Sequence, residues 1–188
     1  MPDAAAQKSF EYEGGEILMM NFLSSLEQLQ FSVWVRESGS VWAFPMFLFL
    51  HTLGMSIVAG GAAITSLALL GFWPKAALKP MEKMIPMMWA AFWLNAVTGT
   101  VLLIADATTK LTNPDFGIKM IFVFSGTYFF YRMRYDVFGD PQLDHGPVPA
   151  KAKKLAWASL ICWFGAIVAG RLLAYVGPVS GLGPGAGQ

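Results

Sequence analysis

The chain has 188 residues, of which 55% are hydrophobic and 13% charged, with a formal charge of +1. A soluble domain carries about 25% charged residues, so this chain has too few ionised groups to clothe a water-facing surface, and a single membrane domain is the expected organisation. A near-neutral balance with clustered basic residues gives nucleic-acid binding no support, and one cysteine, Cys162, rules out an internal disulfide.

Residues 1–20 read as a polar, acidic N-terminal tail without the basic and apolar regions of a signal peptide. The codons of Gly14-Gly15-Glu16 can serve as a ribosome-binding sequence, so translation is expected to begin at Met19 or Met20. An intact mass that includes residues 2–18 removes that expectation. From Asn21 to Arg36, Phe22, Leu23, Leu26, Leu29 and Val33 recur at helical spacing. The pattern predicts a short amphipathic helix on the outer leaflet with Phe31 and Trp34 as interface anchors, or an ordinary helix packed on other protein.

Four apolar segments follow, at about 41–70, 84–105, 114–135 and 155–176. The first would reach roughly 45 Å as a helix, ample for a hydrocarbon core of about 30 Å. The third has a short uncharged core, Met120 to Tyr131, which Lys119, Arg132 and Arg134 extend by snorkelling. Its start is marked by Asn113 as N-cap, Pro114 as first helical residue and Asp115 at the positive end of the dipole. None of the four alternates in polarity, so helices and not barrel strands are expected. The fold class is an all-α integral membrane protein: a four-helix transmembrane bundle over 21–176 with an N-terminal interfacial helix. Residues 177–188 form a Gly/Pro-rich tail.

Basic residues set the orientation. Lys75, Lys79 and Lys83 lie in the first link, and Arg132, Arg134, Lys151, Lys153 and Lys154 in the third. The positive-inside rule places both links in the cytoplasm of a bacterial inner membrane and both termini in the periplasm. Eight of the twelve acidic residues then fall outside, in agreement.

On the first span His51, Gly54, Val58, Gly61 and Thr65 share one face, and on the second Asn95, Gly99, Leu102 and Asp106 do. With Lys119 and Arg171, these stripes bring four polar positions into the outer half of the bilayer, where ionisable groups are rare and functional by default. One reading is a haem b pocket: His51 as iron ligand, Gly54 as clearance for the macrocycle, Asn95 beside it, and Lys119 and Arg171 for the propionates. The chain offers only His145 as a second histidine, on the opposite side, so a single-histidine site, a methionine such as Met120 or ligation across a homodimer is required. The other reading has His51 bonded to Asn95 or a backbone carbonyl to fix helix packing. Quinone binding, proton handling and another metal remain further uses of the same residues. Met81, Met84, Met87 and Met88 suit either Cu(I) or packing. Asp140, Asp144 and His145 read as a solvated turn.

The run Phe49-Leu50-His51-Thr52-Leu53-Gly54 and the run Asn113-Pro114-Asp115-Phe116-x-x-Lys119-Met120 resemble an uncharacterised family of small four-helix bacterial inner-membrane proteins, over about residues 20–176. The layout of that family is similar to b-type cytochrome and copper-resistance bundles, an analogy of fold alone. The resemblance implies roles for His51, Asn113 and Lys119, and departs from the family at Tyr131, where a histidine often stands. The function expected is therefore a multi-pass membrane subunit, either electron-transferring or quinone-reactive with haem b at His51, or a non-catalytic anchor or packing subunit of a larger complex. Its partners would be membrane lipid, other membrane or periplasmic subunits, or further copies of itself.

Overall fold

The computed structural model describes residues 4–73, 81–139 and 147–175, and among these all regular structure is helical. In chain order the elements are α1 (Ala4–Glu27), α2 (Gln30–Glu37), α3 (Phe44–Leu70), α4 (Ile85–Ile104), α5 (Ala107–Leu111), α6 (Pro114–Met133), a π-helical turn (Arg134–Phe138) and α7 (Ala150–Tyr175). Lys75, Lys79, the Asp140, Asp144 and His145 turn, and the 177–188 tail lie outside the described residues.

Three helices are long and apolar enough to cross a membrane: α3, α4 and Ala150–Leu173 of α7. The fourth predicted span, α6, has the length, 20 residues. Its composition falls short because Asp115, Lys119 and Arg132 sit among polar-tipped Tyr128 and Tyr131. Helix ends follow local chemistry. The Asn113 side chain accepts from the Asp115 backbone N–H at 2.9 Å, with Pro114 opening α6. α3 stops where Gly71 takes a left-handed φ of 99° and the Phe72 N–H reaches back to the Leu67 carbonyl at 3.1 Å. α7 begins at Ala150, earlier than the expected 155, so Lys151, Lys153 and Lys154 ride on its first turns and Lys151 can pair with Asp136.

α3 packs on α4 and α7, and α6 packs on α7, whereas α4 and α6 have no close packing of their own. Small residues make the close approaches, as expected where apolar lipid supplies no squeeze and van der Waals fit must do so. A Cβ on Gly54 would stand 2.9 Å from the Ala91 carbonyl oxygen, one on Gly61 2.7 Å from Met88 Sδ, and one on Gly165 2.7 Å from the Phe122 ring. Side chains close the α4–α6 side: Trp89 and Phe130 meet with ring centroids 6.0 Å apart. Beside them Val58, Phe92, Thr127 and Trp163 border a cavity of about 10 Å³, at the threshold for one water. The buried indole N–H groups of Trp89 and Trp163 have no protein partner.

The stretch 21–36 is two helices and not one. The chain turns at Gln28-Leu29, and the Ser32 hydroxyl closes the corner on the Leu26 carbonyl at 2.9 Å. The reason is polar docking against the α4–α5 corner. Glu27 Oε1 accepts from both the backbone N–H and the hydroxyl of Thr108, each at 2.6 Å, so that it caps α5 from a distance. Arg36 donates to the Ala105 carbonyl at the end of α4, at 3.3 Å. Burial pushes the Glu27 carboxyl up, but the two Thr108 bonds and Arg36 outweigh it and hold it below the usual carboxylate range.

Candidate functional site around His51

α3 presents His51 toward α4, one helical turn before Gly54. Its Nδ1 lies 3.0 Å from the backbone carbonyl oxygen of Asn95. A carbonyl only accepts, so Nδ1 carries the proton and donates, which leaves the lone pair on Nε2. The Thr98 hydroxyl donates to the Leu94 carbonyl at 2.7 Å and lies 3.4 Å from the same ring nitrogen. Gly99 makes room for the ring: a Cβ there would stand 2.7 Å from His51 Cε1. The imidazole thus lies against bare backbone of α4, pinned at one nitrogen.

Asn95 contributes its backbone carbonyl. Its side-chain Oδ1 is buried without a hydrogen-bond partner. Gly54 faces Ala91 and Asn95, with the Asn95 N and Cβ both 3.1 Å from where its own Cβ would be. The clearance expected for a macrocycle is therefore filled by α4. Lys119 stretches from α6 over Gly170 of α7, its Cε 3.6 Å and Nζ 3.9 Å from the Cβ position there. Among the described residues no hydrogen bond or ion pair reaches its ammonium. Arg171, beside Gly170, is exposed. The structure brings His51, Gly54 and Asn95 together at the α3–α4 contact, and places Lys119 against Gly170 of α7.

Sequence reading missed two members. Thr98 carries a signal in hindsight, since it stands three residues after Asn95 on the same face. Lys110 carries none: its position depends on the short helix α5, where Nζ donates to the Leu102 carbonyl at 2.9 Å and sits 3.6 Å from Asp106. The methionines do not converge. Met88 and Met81 are buried, Met88 against Gly61, while Met87 is exposed. Tyr131 stacks on Tyr135 with centroids 4.5 Å apart, at the other end of α6 from Lys119.

The site can be tested for fit to haem. A single nitrogen, Nε2, is set up as a ligand by a carbonyl behind Nδ1, as metal-binding histidines are. Against this, Gly54 is closed by Ala91 and Asn95, Gly99 is covered by the imidazole itself, and Arg171 is not available inside. No second histidine stands among the described residues, and no group of three or more His, Cys, Asp or Glu there could hold a metal ion. A haem within the bundle does not fit these residues. No protein-family model, curated protein or solved structure matches this chain.

Proposed function

We propose that the protein is a multi-pass subunit of the bacterial inner membrane that anchors or packs within a larger assembly, with α3, α4, α6 and α7 as four spans and both ends in the periplasm. α6 supports its place as a span by length, about 30 Å at the usual helical rise, and by long basic side chains near both ends that can snorkel. Lys83, Arg134, Lys151, Lys153 and Lys154 support the sidedness through the positive-inside rule.

The observation that carries the docking role is the first helix, and the role requires translation to start ahead of Ile17, which the intact mass of the native protein reads. Ile17, Leu18, Met19, Met20 and Phe22 are 60%, 72%, 51%, 43% and 62% exposed. Residues 17–20 are consecutive, and at 100° per residue they point to every side of α1. One lipid-facing stripe covers only part of such a helix. A helix apolar all round is stable when enclosed by protein or lipid on all sides. Meanwhile His51 uses one nitrogen to join α3 to α4 as an inter-helix strut.

The test is native electrophoresis of the chain extracted in mild detergent. A defined complex is expected for the wild type and only the bare chain for Ile17→Glu/Met20→Glu, with the bundle still folded by circular dichroism. Identical migration of the two overturns the docking role. Electron transfer is the second reading, favoured by the unengaged His51 Nε2, and it requires a haem ligated across two copies of the chain, since one within a single bundle does not fit. A red extract whose Soret band disappears in His51→Ala would establish it; a colourless extract from haem-replete cells would remove it.

A further inference from the structure

The outward face of α7 is apolar along its length and cationic at both ends. At about 100° per residue, Lys153, Lys154, Trp157, Ile161, Phe164 and Val168 fall within an arc of about 100°, and all six are exposed. Arg171 closes the same face at the far end and is exposed as well. The opposite face, with Ala152, Ala156, Ser159, Trp163 and Ala166, is buried where α7 packs on α3 and α6. From Lys154 to Arg171 is roughly 26 Å of helix, close to the approximately 30 Å of a hydrocarbon core. An apolar band of that length between cations suits acyl chains on its rings and phosphate heads at its ends.

Charge is in surplus at the Lys153 end. The stretch 132–154 holds five basic residues, Arg132, Arg134, Lys151, Lys153 and Lys154, against Asp136, Asp140 and Asp144. The link 71–83 adds Lys75, Lys79 and Lys83 against Glu82 alone. Cations therefore remain over even when every carboxylate of these stretches is paired. The structure shows how one carboxylate is used: Asp136 accepts from Arg132 Nε at 2.8 Å and from Lys151 Nζ at 2.9 Å, and so ties α6 to α7. Lys153 and Lys154 stand on the outward face instead, and no ion pair among the described residues reaches them. One turn along that face from Lys153 is the exposed indole of Trp157, a side chain suited to the level of lipid heads.

We propose that the Lys153–Lys154 end of this face binds the head of an anionic phospholipid, whose acyl chains lie along Trp157, Ile161 and Phe164. Charge complementarity selects the occupant: a zwitterionic head brings no net charge to a surplus of cations, whereas an anionic phosphate head does. The lysines of α7 thus divide by role. Lys153 and Lys154 hold lipid, and Lys151, already matched by Asp136, holds the bundle together. The site rests on the membrane reading of the bundle and is separate from the docking of α1.

The experiment places the full chain in discs of equal parts phosphatidylglycerol and phosphatidylcholine and counts the lipid kept on the released protein by native mass spectrometry. Wild type is expected to keep phosphatidylglycerol over phosphatidylcholine by roughly thirtyfold, about fivefold for each of two lysines beside an anionic head. Lys153→Gln and Lys154→Gln should each remove about fivefold, and together leave no preference. Lys151→Gln makes the same change in net charge on the same helix and should keep the preference. Equal retention of both lipids by the wild type overturns the proposal. So does a loss from Lys151→Gln as large as that from Lys154→Gln, or a double variant that keeps the preference. A double variant that alters the complex in native electrophoresis while lipid retention stays unchanged gives the face to an acidic protein and overturns it too. Alkaline carbonate extraction separates the failures: a chain that washes off sinks the membrane reading, and one that stays without lipid preference sinks this site alone.

Discussion

The two ends of the bundle handle charge in opposite ways. At the end where α6 meets α7, Asp136 accepts from Arg132 Nε at 2.8 Å and from Lys151 Nζ at 2.9 Å, so that one carboxylate joins two helices and two cations. These hydrogen bonds, from Lys151 first and then Arg132, hold the Asp136 carboxyl below its ordinary range despite slight burial. At the other end, among the described residues, no anion pairs with Lys119 and no donor reaches Asn95 Oδ1, which is fully buried. A matched network in water fixes geometry and contributes little energy. An unmatched one away from water is a standing cost. The first kind of polar cluster ties two helices together, and the second leaves a buried acceptor of α4 unmatched.

Substitutions can break that contrast in order of size. Gly54→Val should do most harm, because its Cβ meets the Ala91 carbonyl of α4, which is backbone and cannot swing aside. Overpacking of this kind is expected to remove about 1–3 kcal/mol, read as a lower melting temperature in detergent; an unchanged value would mean that α3 and α4 are not held this closely. His51→Ala comes next. It removes the strut to Asn95 and leaves a gap at Gly99, for a loss of about 1–3 kcal/mol. If His51→Ala proves neutral, the imidazole is not a packing element and its role lies with a ligand alone.

Glu27→Ala should be milder, about 1 kcal/mol for a lost cap, and it carries a pH signature. The folded-state pKa of Glu27 is lowered, so its contribution is complete above the ordinary carboxylate pKa and disappears as pH falls through and below that value. Protection of the Thr108 amide, taken relative to its intrinsic exchange rate, should therefore fall in acid in the wild type and be already low, and flat with pH, in Glu27→Ala. Asp136→Asn is expected to have the smallest effect because the network is open to solvent. Its own lowered pKa gives the same sign, with loosening of the first turn of α7 only as pH drops below the carboxylate range. A larger loss from Asp136→Asn than from His51→Ala would reverse the comparison between the two ends.

Much of the helical layout was legible because its causes are local. The apolar runs mark α3, α4 and α7, and the Asn113-Pro114-Asp115 start of α6 needs only its own residues. Parts of the site were legible as well: His51 and Asn95 share spacing on facing stripes, and the alternatives for His51 included the carbonyl bond that forms. Gly54 was legible as a position of close approach, which the structure fills with α4, since a glycine in a stripe does not say whether helix or ligand takes the space. Arg171 was placed with the polar set by depth along α7, which fixes height and not the direction in which the side chain points.

Composition and charge placement by themselves determined an all-helical chain with membrane-length segments, because hydrophobic length and helix-start chemistry are properties of neighbouring residues. Tertiary structure alone decided that Glu27 caps a helix some 81 positions away, that Thr98 comes beside the His51 ring, and that Lys119 has no ion pair among the described residues. Those outcomes depend on which helix faces touch, and a lack of partners is visible only once every possible partner has been placed elsewhere.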